Sequence, residues 1–287
     1  MELNRDQIKY FAMIVMAIDH ITAIFMPEGG YLYEILINIG YFTAISMCYF
    51  LVEGYDYTSS KKKYAERLLL FALISEIPFC LAMTNDGIIS YVELNMMFTL
   101  FLCFMMIWAL DVLKSSLLKI IVVLAVIFLS FLCDWAVWAP IMTLLFIWSK
   151  GNKKRLIFSF CLITITYGIL NYFFLVRDYN TTYSFIVALI SMSGMALAGV
   201  CITQFYNHKR SNKHRTFSKY FFYLFYPVHL LILGILRIIF KLWCLFCKPN
   251  LTYLRHCSTI FTKKVTKWYI KFTYRGLENI FACGWCE

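Results

Sequence analysis

Residues 8–20 read IKYFAMIVMAIDH, an apolar run that closes on an acid and an imidazole. Its length and near-continuous apolarity are those of a helix surrounded by lipid, and the rest of the chain follows suit. Hydrophobic residues make up 61% of the sequence and charged residues 15%, far from the balance of soluble domains. A helix that crosses a bilayer needs about 20 mostly apolar residues, because each backbone N–H and C=O must find its partner within the segment. Nine such runs are legible: 9–26, 32–52, 64–83, 93–111, 116–133, 135–149, 155–175, 182–206 and 219–242. The fold class is therefore an all-α polytopic membrane protein, a bundle of about nine transmembrane helices over residues 1–242, followed by a basic, cysteine-containing tail over 243–287.

Orientation follows from the short loops, where lysine and arginine are retained on the cytoplasmic side. Alternate loops carry Lys61, Lys62, Lys63 and Arg67, then Lys114 and Lys119, then Lys150, Lys153, Lys154 and Arg155, then Lys209, Arg210, Lys213, Arg215 and Lys219. The opposite loops carry Arg177 alone. The expectation is a multi-pass protein of the cell membrane with a cytoplasmic amino terminus. The net charge of +11 is then accounted for by loops facing anionic lipid, without a nucleic-acid partner. The first run lacks a small-residue cleavage site and leads into a second span, so it is expected to be a retained helix. With nine spans the basic tail would fall outside the cell, against its charge. Either one run does not span or the tail is a short interfacial or poorly ordered appendage. Cys48, Cys80, Cys103, Cys133, Cys161 and Cys201 read as small apolar residues of the spans. In the tail, CLFC and CGWC hold Cys244, Cys247, Cys283 and Cys286, with Cys257 between them. That spacing can bind zinc, but the wide separation and the lack of a compact domain favour disulfides or free thiols, and no metal site is assigned.

Ionisable groups inside a bilayer are costly and point to function. Lys9 and His20 are eleven positions apart, which on a helix leaves them within about 20° of one face and about 16 Å apart along the axis. Asp19 lies about 100° round from His20, poorly placed to orient that imidazole. His20 is the candidate general base, since imidazole takes and returns a proton near neutral pH. A second mid-span histidine, His229, stands in FYLFYPVHLLIL beside Pro227, where the lost N–H and the clash with the Tyr223 carbonyl should bend the helix.

IKYFAMIVMAIDHI, LVEGYDYTSSKKKYAERLLLFALISEIPF, LNMMFTL and YLFYPVHLLIL together resemble the TraX family, the conjugative pilin-acetylation proteins, in the family's order and over residues 8 to about 234. The family is similar in turn to the acyltransferase-three group, whose first helix carries a basic residue and, after ten intervening positions, a histidine. Lys9 and His20 match that spacing. The resemblance implies transfer of an acyl group, with acetyl-CoA as donor, to an unidentified acceptor: a protein amino terminus, a peptide, a sugar hydroxyl or a lipid head group. It places His20 as base, with His229 and Asp19 beside it, and Lys9, Lys61, Lys62, Lys63 and Arg67 where the donor's phosphates arrive. Glu53, Gly54, Thr58 and Tyr64 also match the family, and Glu53 is expected to pair with Arg67. One departure is Gly40-Tyr41, where the family has Gly-Arg; Tyr41 can donate a hydrogen bond but brings no charge. A transporter or channel would also use mid-membrane histidines, though commonly with repeated halves that this sequence does not show. A non-enzymatic membrane scaffold would tolerate the loss of both histidines.

Overall fold

The computed structural model describes residues 2–84, 87–209 and 215–247. The tail from 248 onward, with Cys257, Cys283 and Cys286, lies outside the described residues, as do Arg210, Lys213 and the side chains of Arg215, Lys219, Cys244 and Cys247. The described chain is helical: α1 Arg5–Phe25, α2 Tyr31–Ile39, α3 Tyr41–Tyr57, α4 Lys61–Met83, α5 Met96–Val112, α6 Ser116–Ser130, α7 Trp138–Ser149, α8 Lys153–Leu175, α9 Thr181–Val200 with a wider turn at Cys201–Phe205, and α10 Arg215–Cys247. Among the described residues the extended contacts are two isolated bridges, Leu3 with Tyr206 and Leu94 with Cys133.

Helix starts are written in the loops. Asn4, Ser60, Asn95, Ser115, Asn152 and Asn180 each accept a hydrogen bond from an N–H in the first turn of the helix that follows, satisfying donors that have no partner within the helix. At α1 the bond is returned, Gln7 accepting from the Asn4 N–H, so the helix that carries Lys9 and His20 begins on a capping box.

All nine apolar runs are helices, but their interiors differ from a set of uniform rods. Among the described residues five stretches are long and apolar enough to cross a membrane: Arg5–Phe25, Tyr31–Tyr57, Lys153–Leu175, Thr181–Phe205 and Tyr220–Leu242. The 32–52 run is interrupted at Gly40, which ends α2 and starts α3. There the Gly40 N–H donates to Ile37 and the Thr43 N–H to Gly40, three residues apart, so the helix tightens by one turn. A Cβ on Gly40 would stand 2.6 Å from the Asp19 side chain, and a Cβ on Gly194 of α9 2.9 Å from the Ile39 carbonyl. Two neighbours therefore press on the break, which no residue larger than glycine would permit.

The runs at 116–133 and 135–149 are shorter than expected, because residues 131–137 form a turn. With 12 residues, α7 rises only about 18 Å, short of the roughly 30 Å hydrocarbon core, so the turn sinks into the bundle. Irregular backbone at such depth must be satisfied by protein. It is: Asp134 N–H donates to Leu94 (2.8 Å), Leu94 N–H to Leu132 (2.9 Å), and Val137 N–H to the Ser130 hydroxyl (2.9 Å).

The central helix is α3, which packs against α1, α5, α7 and α9. Its Thr43 hydroxyl donates to the Ala12 carbonyl at 2.6 Å. The largest core cluster, with Phe42, Ile45, Phe104 and Phe146 each at most 2% exposed, surrounds it. The outward faces of α6 and α8 are apolar and exposed, with Ile120, Leu124, Phe128, Ile165 and Ile169 among them, as lipid contact requires. Free Cys48, Cys80, Cys103 and Cys133 are buried in this packing, while Cys161 is exposed. α10 runs unbroken through Pro227 and lies against α1 and α4.

Candidate functional site

The packing of α10 on α1 brings together two histidines 209 positions apart: His20 Nδ1 is 2.7 Å from His229 Nε2. The other nitrogen of His229, Nδ1, is 2.7 Å from the Phe225 carbonyl oxygen one turn back. A carbonyl only accepts, so His229 Nδ1 carries a proton. A neutral imidazole has a single N–H, which makes His229 Nε2 an acceptor and His20 Nδ1 its donor. The lone pair of His20 is left on Nε2. The Phe225 and His229 rings are stacked at a centroid separation of 4.8 Å, and the His229 and His20 rings, 11° from parallel with centroids 5.0 Å apart, meet edge to edge through the hydrogen bond.

His20 lies on the wall of a cavity of about 800 Å³; His229 stands behind it and is 9% exposed. At the end nearer the amino terminus the cavity is lined by Arg5, Lys9, Lys63 and Arg67. Lys9 Nζ sits 5.4 Å from the ring centroids of both Phe50 and Phe222, and Arg67 lies beside the Tyr223 hydroxyl and over the Tyr64 ring. The Nε atoms of Arg5 and Arg67 are buried with no hydrogen-bond partner among the described residues. Lys61 and Lys62 are not on this wall. Lys61 donates to the Tyr55 carbonyl and covers the Tyr55 ring, and Lys62 is exposed. Glu53 does not meet Arg67: its carboxylate accepts from the Tyr206 hydroxyl at 2.9 Å and lies 3.7 Å from His208 Nδ1. Gly54 is where the Tyr64 hydroxyl passes, 3.0 Å from where a Cβ would stand, and Thr58 and Tyr64 both line the cavity.

Beyond His20 the wall changes character. Asp19 rests in the notch left by Gly40, within electrostatic reach of Asp134 on the sunken turn. Tyr41 meets Trp135 and Tyr167 edge-on, each at 5.1 Å. The cavity thus carries four cations and the Asp6 carboxylate, 3.9 Å from Arg5, at one end, a histidine midway, and carboxylates with aromatic rings at the other.

The TraX family model matches residues 4–237. This chain belongs to the TraX family. A probable fimbrial assembly protein of Dichelobacter nodosus, FimC of serogroup H1, is 31% identical over 239 residues, covering 81% of this chain and 95% of the relative. No solved structure matches the chain. The family match begins on the cap of α1 and ends at Arg237, so in this TraX-family chain it takes in both histidines and every residue of the cavity wall.

Arg237 is the polar residue that sequence reading passed over. It is 2% exposed and donates to the carbonyls of Leu81 (3.1 Å), Thr84 (2.7 Å) and Ile88 (2.7 Å). These lie at and just past the carboxyl end of α4, where the helix dipole favours a cation. The bonds tie α10 to α4 and so hold His229 in place. The signal was available, because a lone arginine within an apolar run is rarely idle. Arg5, Asp134 and Tyr226 also line the cavity without having been singled out.

Proposed function

We propose that this TraX-family protein is an acyltransferase of the cell membrane, moving acetyl from acetyl-CoA to an amine or hydroxyl acceptor with His20 as general base. The observation that carries the reading is the relay Phe225 carbonyl–His229–His20. It leaves an unprotonated Nε2 on a residue of the cavity wall, as a base must have before it removes a proton. Arg5, Lys9, Lys63 and Arg67 suit the phosphates of the donor; the buried Nε of Arg67 has a hydrogen bond to give, while that of Arg5 faces the Asp6 carboxylate at 3.9 Å.

His20 Nε2 takes the acceptor's proton as the acceptor lone pair attacks the thioester carbonyl. On collapse the C–S bond breaks and the proton passes to sulfur. His229, buried behind it, holds the His20 imidazole in the productive tautomer.

The basic mouth, which lies at the end carrying the basic loops, supports a cytoplasmic amino terminus. The donor then arrives from the cytoplasm and the acceptor from the end bearing Asp19 and Asp134. The relative named as a fimbrial assembly protein adds the amino terminus of a fimbrial subunit to the acceptors worth testing, beside peptides, sugars and lipid head groups. Proteoliposomes given acetyl-CoA labelled in the acetyl group should transfer label to an added acceptor. Label accumulating inside the vesicles unchanged would support a transporter, and neither outcome a scaffold.

A further inference from the structure

An addition to a carbonyl needs a hydrogen-bond donor for the oxygen that becomes negative, and the relay does not supply one. Tyr226 does. It stands three positions before His229 on α10, so both side chains lie on one face. Its ring centroid is 6.5 Å from that of His20 and 5.8 Å from that of His229. The residue is 6% exposed and lines the cavity, with its hydroxyl oxygen buried. Its hydroxyl has no hydrogen-bond partner among the described residues. The Met96 N–H at the start of α5 faces the phenol oxygen outside full hydrogen-bond geometry, which leaves the O–H proton unspent. A buried hydroxyl without an acceptor is destabilising, and a phenylalanine in its place would avoid that penalty.

We infer that the Tyr226 hydroxyl is the oxyanion donor of this site, a catalytic residue in addition to His20; the inference rests on the acyl-transfer reading above. As the acceptor lone pair bonds to the acetyl carbon, the acceptor proton moves to His20 Nε2 and the carbonyl π pair moves onto oxygen. Tyr226 donates its hydrogen bond to that oxygen and keeps its proton. When the pair returns, the C–S bond breaks and His20 hands the proton to the departing sulfur. A donor that acts only on developing charge changes turnover and not ground-state binding.

The test is Tyr226→Phe in the full chain, reconstituted in liposomes, with three readouts. Acetyl transfer should fall by about 10²- to 10³-fold in kcat with KM for acetyl-CoA within about twofold. The thermal midpoint should stay level or rise, and the shift of that midpoint on adding CoA should be unchanged. An active wild type with an equally active Tyr226→Phe overturns the assignment, as does a variant whose lost turnover tracks a lowered midpoint or a lost CoA shift, for then the hydroxyl is structural. A wild type that transfers no acetyl group overturns the enzyme reading, and this assignment with it.

Discussion

Replacing His229 by phenylalanine separates the proposed base, His20, from the group that orients it. The new side chain can keep the ring stack on Phe225, 4.8 Å away in the native protein, but offers no acceptor to His20 Nδ1. Two losses follow. Neutral His20 becomes free to move its proton to Nε2, where it cannot act as a base, and the imidazolium formed during transfer loses the hydrogen bond now made at 2.7 Å. A hydrogen bond to a charged group contributes about 1.5–3 kcal/mol, and about 1.4 kcal/mol is tenfold in rate. His229→Phe should therefore retain acetyl transfer at about 10- to 100-fold below wild type, measured with labelled acetyl-CoA in proteoliposomes at matched protein. Folding should be little affected, since the Phe225 carbonyl still has its helical N–H. Undiminished turnover would show that the histidine contact orients nothing. A variant as inactive as His20→Ala would make His229 a proton carrier in its own right.

Arg67→Met should raise KM for acetyl-CoA by about tenfold with kcat nearly kept, and the difference from wild type should shrink in high salt, as screening predicts; Lys9→Ala should act the same way, and a salt-independent loss of kcat would refute a phosphate role. Arg237→Met removes three hydrogen bonds to carbonyls at the end of α4, the one to Thr84 fully buried, and should lower stability by about 2–4 kcal/mol, seen as a lower thermal midpoint in detergent, whereas a loss under about 1 kcal/mol would mean that these bonds do not hold α10 to α4. In a background without native cysteines, a membrane-impermeant maleimide applied to intact cells should label a cysteine at position 177 and not one at position 208; the reverse pattern would invert the orientation.

The nine apolar runs were legible because a membrane imposes a length, and length needs no knowledge of neighbours. The break at Gly40 was not, since NIGYFTAI has neither proline nor charge to mark it and the close approach of Asp19 and Gly194 comes from other helices. The sunken turn was hidden differently: Trp135 and Val137 adopt positive φ values of 60° and 64° without a glycine to announce them. At the site, helical spacing brought Lys9 and His20 to one face, but a run such as Lys61-Lys62-Lys63 rotates by about 100° per residue. Only the packed bundle shows that Lys63 reaches the cavity and Lys61 turns to Tyr55. Both mid-span histidines stood out for their cost in lipid, yet their contact depends on how α10 lies on α1. Glu53 went to Tyr206 rather than Arg67 because α3 presents that face to the wider turn after α9.

In the proposed mechanism His20 Nε2 removes the acceptor's proton. His20→Ala, purified and reconstituted beside wild type, tests it most directly, with label from acetyl-CoA followed into an added amine acceptor and the thermal midpoint recorded for both proteins. The expected result is a loss of about 10²- to 10⁴-fold in transfer with an unchanged midpoint and an unchanged stabilisation by CoA. A folded His20→Ala protein that transfers acetyl at close to the wild-type rate would show that His20 is not the base.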